Sequence, residues 1–336
     1  MKRYLSIIAL VLAVGFTSCE HKELCTDHYP HAFRYHIKVV ADYRYDWEEC
    51  CGGIDWEYRW PDEYIPYDSL RPGKPSGLRV VAYNEKGDHN IHNIKTDGGV
   101  ITLYEGVNDL LFYNNDTEYI IFSRNGATTR ATTRTRTRAT YKGNTFANEG
   151  EATVAPPDML YANYIEDYYA EKVLEPTEVK VTLHPLVYTY KVRYEFADGL
   201  KYVAMSDGAL SGMAKSVDMN TGETSSEAAT VLYDCEITDY GIRALVNSFG
   251  APGFPHPNYP TRTENKHALN LYLKLRSGKD TTLEWDVTDQ VKAQPHGGVI
   301  VVKDIVIPEA QGMEGSGAFD VEVDEWGPYE DIPLPL

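Results

Sequence analysis

Leu78-Arg-Val-Val-Ala-Tyr-Asn-Glu-Lys-Gly-Asp-His-Asn-Ile-His-Asn-Ile94 is the stretch whose reading decides the fold class. An apolar run is followed by the turn Asn84–Gly87 and then by strict alternation, the pattern of a β-hairpin. Outward from it the same cadence recurs. Phe33–Tyr43 alternates apolar and polar residues, and Gly99–Leu103, Asp109–Asn114 and Tyr119–Phe122 follow with turn residues between them. The second half repeats it at Glu178–Leu183, Leu186–Phe196, Tyr202–Ser206, Ala229–Ile237, Ile242–Ser248, Leu269–Leu275, Thr281–Val287 and Gly298–Val306. Asn220–Glu223 and Arg276–Lys279 read as hairpin turns, and Phe319–Trp326 as a last alternating strand. Asp167–Lys172 alone reads as a short helix. Strands at this spacing, without long intervening helices, predict an all-β chain of antiparallel sandwiches.

The chain has 336 residues, with 26 Tyr, 26 Gly and 18 Pro, a balance that favours strands and turns. Its formal net charge of −18 argues against nucleic acid or anionic lipid as a partner, since phosphate binding needs clustered Lys and Arg.

The first nineteen residues set the location. Met1-Lys-Arg, the apolar run Leu5–Val14 and Gly15-Phe-Thr-Ser-Cys19 have the three parts of a secretory leader. The apolar run is too short to span a bilayer, which takes roughly 20 residues. The cysteine after Thr17-Ser18 makes the leader resemble a bacterial lipoprotein signal, with Cys19 the expected lipid attachment site and Phe16 a departure from the usual Leu. The expected organisation is a signal peptide over 1–18 and a tether over 19–32. An N-terminal sandwich over 33–170 and a C-terminal sandwich over 171–336 follow. Export permits disulfides. Cys25 with Cys50 or Cys51, or free thiols at all of these, are equally open, and Cys235 reads as a core residue.

Within 124–150 the run Ala127-Thr-Thr-Arg-Ala-Thr-Thr-Arg-Thr-Arg-Thr-Arg-Ala139 has almost no core-forming residues. It reads as a flexible, protease-sensitive loop presenting Arg130, Arg134, Arg136 and Arg138. Trp56 and Trp60, in the aromatic span Trp47–Tyr67, are the candidate sugar-stacking residues. His21, Cys25, His28 and His31 match no zinc spacing, so no metal and no cofactor is expected. Asp218-Met-Asn-Thr-Gly222 lacks the later Glu of a calcium loop and reads as a turn. Neither a Gly-x-Ser-x-Gly elbow, a His-Glu-x-x-His pair nor a phosphate loop is present, and no catalytic residue is assigned.

Four segments carry a resemblance: Cys19–Cys25 running into a strand, Leu103–Asn115, Ala209–Gly222 and Leu283–Val291. In these the chain resembles the fimbrillin-like surface lipoproteins of Bacteroidota, the group of type V pilus subunits and their anchors. The resemblance implies two tandem transthyretin-like β-sandwich domains. It also implies a non-enzymatic anchor or accessory subunit at the outer membrane or cell surface, lipid-anchored through Cys19. Fimbrial subunits would then be its partners, joined by β-strand addition at a sheet edge. The alternative is a glycan-binding outer-membrane lipoprotein using the exposed Trp/Tyr cluster.

Overall fold

The computed structural model describes residues 33–44, 73–253 and 265–313. Its described elements are strands apart from two short helices, α1 (Thr288–Ala293) and α2 (Glu309–Met313), and a 3-10 turn at Leu200–Tyr202. The all-β sandwich expectation is borne out.

The first unit is one eight-stranded sheet folded over on itself. One leaf holds β1 (Arg34–Tyr43), with β4 (Gly98–Thr102) on one side and β11 (Thr177–Pro185) on the other. The other leaf runs β9 (Tyr161–Ala170), β5 (Gly106–Asn114), β2 (Leu78–Asn84), β3 (His89–Ile94). The leaves join at one corner, where His184 and Pro185 pair with Ala162 and Tyr161. Ile37, Val39, Val181 and Leu183 of the first leaf meet Leu78, Val80, Leu110 and Phe112 of the second. Each such side chain contributes about 1.5–3 kcal/mol by leaving water.

β2 is apolar almost throughout because both its faces are covered. Val81 and Tyr83, with Leu111 and Tyr113 of β5, point away from the first core into a second one. That core is closed by a three-stranded sheet of β6 (Ile120–Asn125), β7 (Thr128–Thr133) and β14 (Ser216–Asp218), and by Leu186, Val187 and Phe249. The hairpin turn read at Asn84–Gly87 is present: Asn84 Oδ1 accepts from the backbone N–H of Lys86 and Asp88, and Gly87 takes the left-handed φ of 83°.

The second unit packs a four-stranded sheet on a five-stranded one. The former is β16 (Glu236–Thr238), β17 (Gly241–Ser248), β12 (Tyr188–Asp198) and β20 (Gly298–Val306). The latter is β19 (Asp280–Asp286), β18 (Ala268–Leu275), β13 (Val203–Ala214), β15 (Ala228–Asp234) and β8 (Ala152–Val154). Tyr190, Val192 and Tyr194 of β12 meet Leu269, Leu271 and Leu273 of β18 across the core. Tyr194 also reaches Tyr233 of β15, their hydroxyls 2.8 Å apart. Most pairs are antiparallel, but β1–β11, β12–β20 and β15–β8 are parallel.

Three expectations are corrected. β11 pairs with β1 from Ile37↔Thr177 to Tyr43↔Leu183, so a boundary at 170/171 would cut through a sheet; the chain enters the second core after Pro185. Residues 124–150 are not a flexible loop. They begin in the β6–β7 hairpin, and the remainder is bonded to the second unit. Asp167–Lys172 is not helical but the end of β9 and the start of β10 (Lys172–Val173). The alternation slips there because Asp167 takes φ 54° and donates its N–H to Asp109 Oδ1, opposite a register shift in β5.

Candidate strand-accepting edge

A sheet edge exposes unpaired backbone N–H and C=O groups, and natural sheets blunt such edges unless they are used. Here β16 and β8 are blunted by being three residues long. β19 carries Asp280, Glu284 and Asp286, and β6 carries Arg124. β20 is covered in another way. Gln290 on α1 and Gln294 at its C-cap, four residues apart, each present an amide to its outer edge. Gln290 accepts from Val301 N–H at 2.9 Å and donates to Val301 C=O at 3.0 Å. Gln294 does the same to Val299 at 2.8 and 2.9 Å. Two side chains thus stand in for a missing strand. Sequence reading missed them; Gln-x-x-x-Gln beside an apolar strand was the only available signal.

β3 and β4 are different. Among the described residues β3 is laddered only to β2, and β4 only to β1, apart from the bridge Lys95↔Gly98 at the turn between them. Their sequences, His-Asn-Ile-His-Asn-Ile and Gly-Gly-Val-Ile-Thr, contain no carboxylate, Lys or Arg. Ile91 and Val100 are exposed, 44 and 57 %. The two strands lie in opposite leaves at the side away from the β11–β9 corner. A shallow recess of about 490 Å³ beside them is lined by Val39, Val40, Ile94, Lys95, Asp97 and Gly98, among others. Gly98 is required where β4 leaves the turn: its φ is 122°, and a Cβ would sit 2.0 Å from the Val39 carbonyl oxygen. His92 lies on the same side of β3 as Ile94, which packs against the first core, and is partly buried there. Burial holds its pKa below the ordinary histidine value.

Of the residues singled out in the sequence, Cys19, Trp56, Trp60, Cys25, Cys50 and Cys51 lie outside the described residues. Cys235 is a free thiol, partly buried against the second core, and burial pushes its pKa well up, so it is no nucleophile at neutral pH. The Asp218 segment is a turn, Asp218 Oδ1 accepting from Asn220 and Thr221 N–H. The four arginines sit on ordered backbone. Arg130 lies on β7 opposite Asp218, and Arg134 stands over the Tyr119 ring. Arg136 donates to Leu232 C=O and Asp234 Oδ1, and Arg138 to Gly208 C=O, Tyr233 C=O and Asp234 Oδ1. These bonds strap the segment across β13 and β15.

Charge-assisted bonds to backbone carbonyls are worth about 1.5–3 kcal/mol. Arg138→Ala should therefore lower unfolding free energy by about 2 kcal/mol, read from urea midpoints. Limited trypsin should leave the bonds after Arg136 and Arg138 intact in the parent and cut them in the variant.

The family described as "Domain of unknown function (DUF5119)" matches residues 68–234. "Putative fimbrium anchoring subunit Fim4B" of Bacteroides ovatus is 25% identical over 310 residues, 82% of this chain and 89% of that protein. The crystal structure of a putative adhesin from Bacteroides ovatus superposes with a TM-score of 0.53 at 20% identity, covering 84% of this chain and 97% of that one. The fimbrial anchor protein Mfa2 from Porphyromonas gingivalis matches at a TM-score of 0.44 and 12% identity, over 80% of this chain and 90% of its own.

Proposed function

We propose, from the premise that this chain is a fimbrillin-like relative of fimbrium anchoring subunits, that it is a non-enzymatic surface protein that holds a fimbrial subunit by strand addition. Cys19 is its lipid attachment point at the outer membrane, and β3 and β4 are where the partner's strand adds. One observation carries the reading: among the described residues these are uncharged, exposed edges, while the other long edges bear charge or are capped by glutamine amides. A donor strand would complete both the backbone ladder and the apolar cover over Ile91 and Val100.

The test is co-purification from membranes of the native host. The parent should carry fimbrial subunits with it. Ile91→Lys with Val100→Lys, both at exposed positions and so within about 0.5 kcal/mol of parent stability, should lose at least nine-tenths of them. Cys19→Ala should release the protein from membranes with its partner-binding intact. Equal subunit recovery with the doubly charged edge would refute the assignment.

A further inference from the structure

The Arg/Thr segment that straps β13 and β15 also borders a recess. In Arg134-Thr-Arg-Thr-Arg138 the arginines alternate with threonines, so an extended backbone puts the three guanidinium groups on one side. That backbone is held in place. Arg134 N–H donates to Tyr119 C=O, Ala155 N–H to Arg134 C=O and Arg136 N–H to Thr153 C=O, with Thr135 bridged to Val154. The three arginines have different partners. Arg136 and Arg138 share Asp234. The guanidinium of Arg134 makes no hydrogen bond or ion pair among the described residues; it lies over the ring of Tyr119, 5.7 Å from the centroid. Such stacking holds a planar guanidinium in one orientation.

Arg134 lines a recess of about 600 Å³ where the β6–β7 hairpin, residues 155–158 and β17 meet. Tyr119, Pro156 and Pro157 give it apolar walls, and Thr135, Asp158 and Asn247 give it polar ones. Its charges, Arg134 and Arg136 against Asp158 and Asp234, cancel in number but not in place. Asp234 is taken by Arg136 and Arg138, and Asp158 Oδ2 accepts the backbone N–H groups of Glu118 and Tyr119. The N–H donors of the Arg134 fork are left uncommitted. So are Asp158 Oδ1 and the Thr135 hydroxyl among the described residues, and Asn247 spends one amide proton on Pro157 C=O.

The lining also selects the kind of molecule that fits. Strand addition needs free backbone N–H and C=O groups. Here the 134–136 backbone is engaged with Tyr119 and with residues 153–155, and Pro156 and Pro157 have no N–H. The recess offers side chains in place of a ladder. A small, rigid ligand meets its terms: an oxyanion for the guanidinium, hydroxyl groups for Thr135, Asp158 and Asn247, and an apolar ring face for the prolines. A pyranose that carries a carboxylate has all three.

We propose that this recess binds a carboxylate-bearing sugar, a uronic or sialic acid residue of a glycan, with the carboxylate on Arg134. None of these residues lies on β3 or β4, so the assignment stands if strand addition there fails. Calorimetric titration of the whole protein takes methyl β-D-glucuronide and N-acetylneuraminic acid as probes. Methyl β-D-glucoside is the uncharged counterpart, and acetyl-Asp-Glu-Asp-amide the acidic peptide. At least one of the two acids should bind at millimolar concentration, about tenfold or more tighter than the glucoside and the peptide, as one charge-assisted bond allows. Arg134→Gln should weaken that binding about tenfold and leave the urea midpoint unmoved, since the side chain is exposed. Equal affinity for the glucuronide and the glucoside when the glucuronide is the acid bound, peptide binding as tight as that of the sugars, no binding of either acid, or an unchanged titration in Arg134→Gln would overturn the proposal.

Discussion

Gly208→Ala is expected to lower unfolding free energy by about 3–5 kcal/mol. On β13, Gly208 lies directly opposite Tyr233 of β15, and the tyrosine ring fills the space that a side chain would take. A Cβ there would stand 2.0 Å from Tyr233 Cε2. The ring cannot swing aside, because Tyr233 is 2 % exposed and its hydroxyl is bonded to Tyr194, which also donates to Asn270 C=O. Overpacking of this kind costs about 1–3 kcal/mol. Breaking the buried hydroxyl pair costs about 1–3 more, since the Tyr233 hydroxyl then loses its acceptor in a place water does not reach, while Tyr194 keeps only its bond to Asn270 C=O. Burial already pushes both phenol pKa values well up. Urea unfolding checks this, with Tyr194→Phe as companion: it keeps the ring and loses the hydroxyl, and should cost only about 1–2 kcal/mol. A Gly208→Ala loss below 1 kcal/mol would show that the ring can relocate.

The second large effect is acid destabilisation through His267. The side chain is fully buried, its two ring nitrogens have no hydrogen-bond partner among the described residues, and its pKa is pushed down to about 4. Burial is the main cause, the nearby Lys292 ammonium adds to it, and Asp286 opposes both. The unfolded chain takes up a proton at His267 near pH 6.5 while the folded one resists until about 4. Stability from this group is therefore complete above pH 6.5 and is lost as pH falls from there toward 4. At 1.36 kcal/mol per pH unit the loss is at most about 3 kcal/mol. His92, held down by its own burial, acts in the same sense, so a variant must assign the effect. Asp286 is kept low by its bonds to Thr288, and its contribution fades only below the ordinary aspartate range. Urea midpoints between pH 7.5 and 4.5 should fall steeply for the parent and much less for His267→Gln. Parallel curves for the two proteins would refute the assignment.

Much of the fold was legible because strands that cover a core announce it by period. β1 alternates, β2 is apolar on both faces, and the turns at Asn84 and Arg276 carry the residues that their backbones require. The Arg/Thr run misled because its inward residues are small. Thr129, Ala131 and Thr133 are the buried positions of β7, and they alternate with Arg130 and Thr132 too weakly to separate from low complexity. The partners of Arg136 and Arg138 lie on β13 and β15, remote in sequence, and no local pattern reports them. The candidate edge was invisible for the same reason. An edge is defined by which strands are not neighbours, a property of topology. Once the topology was in hand, the lack of charge in β3 and β4 became informative.

The parallel pairing of β1 with β11 also orders events as the polypeptide is made. Among the described strands β1 comes first, yet its partner β11 arrives only with residues 177–183, after β2 through β9. Because β8 inserts beside β15, the later half in turn needs a piece of the earlier one. Closing such distant contacts is slow, so the chain remains an incomplete sheet for longer than one whose strand pairs are all local.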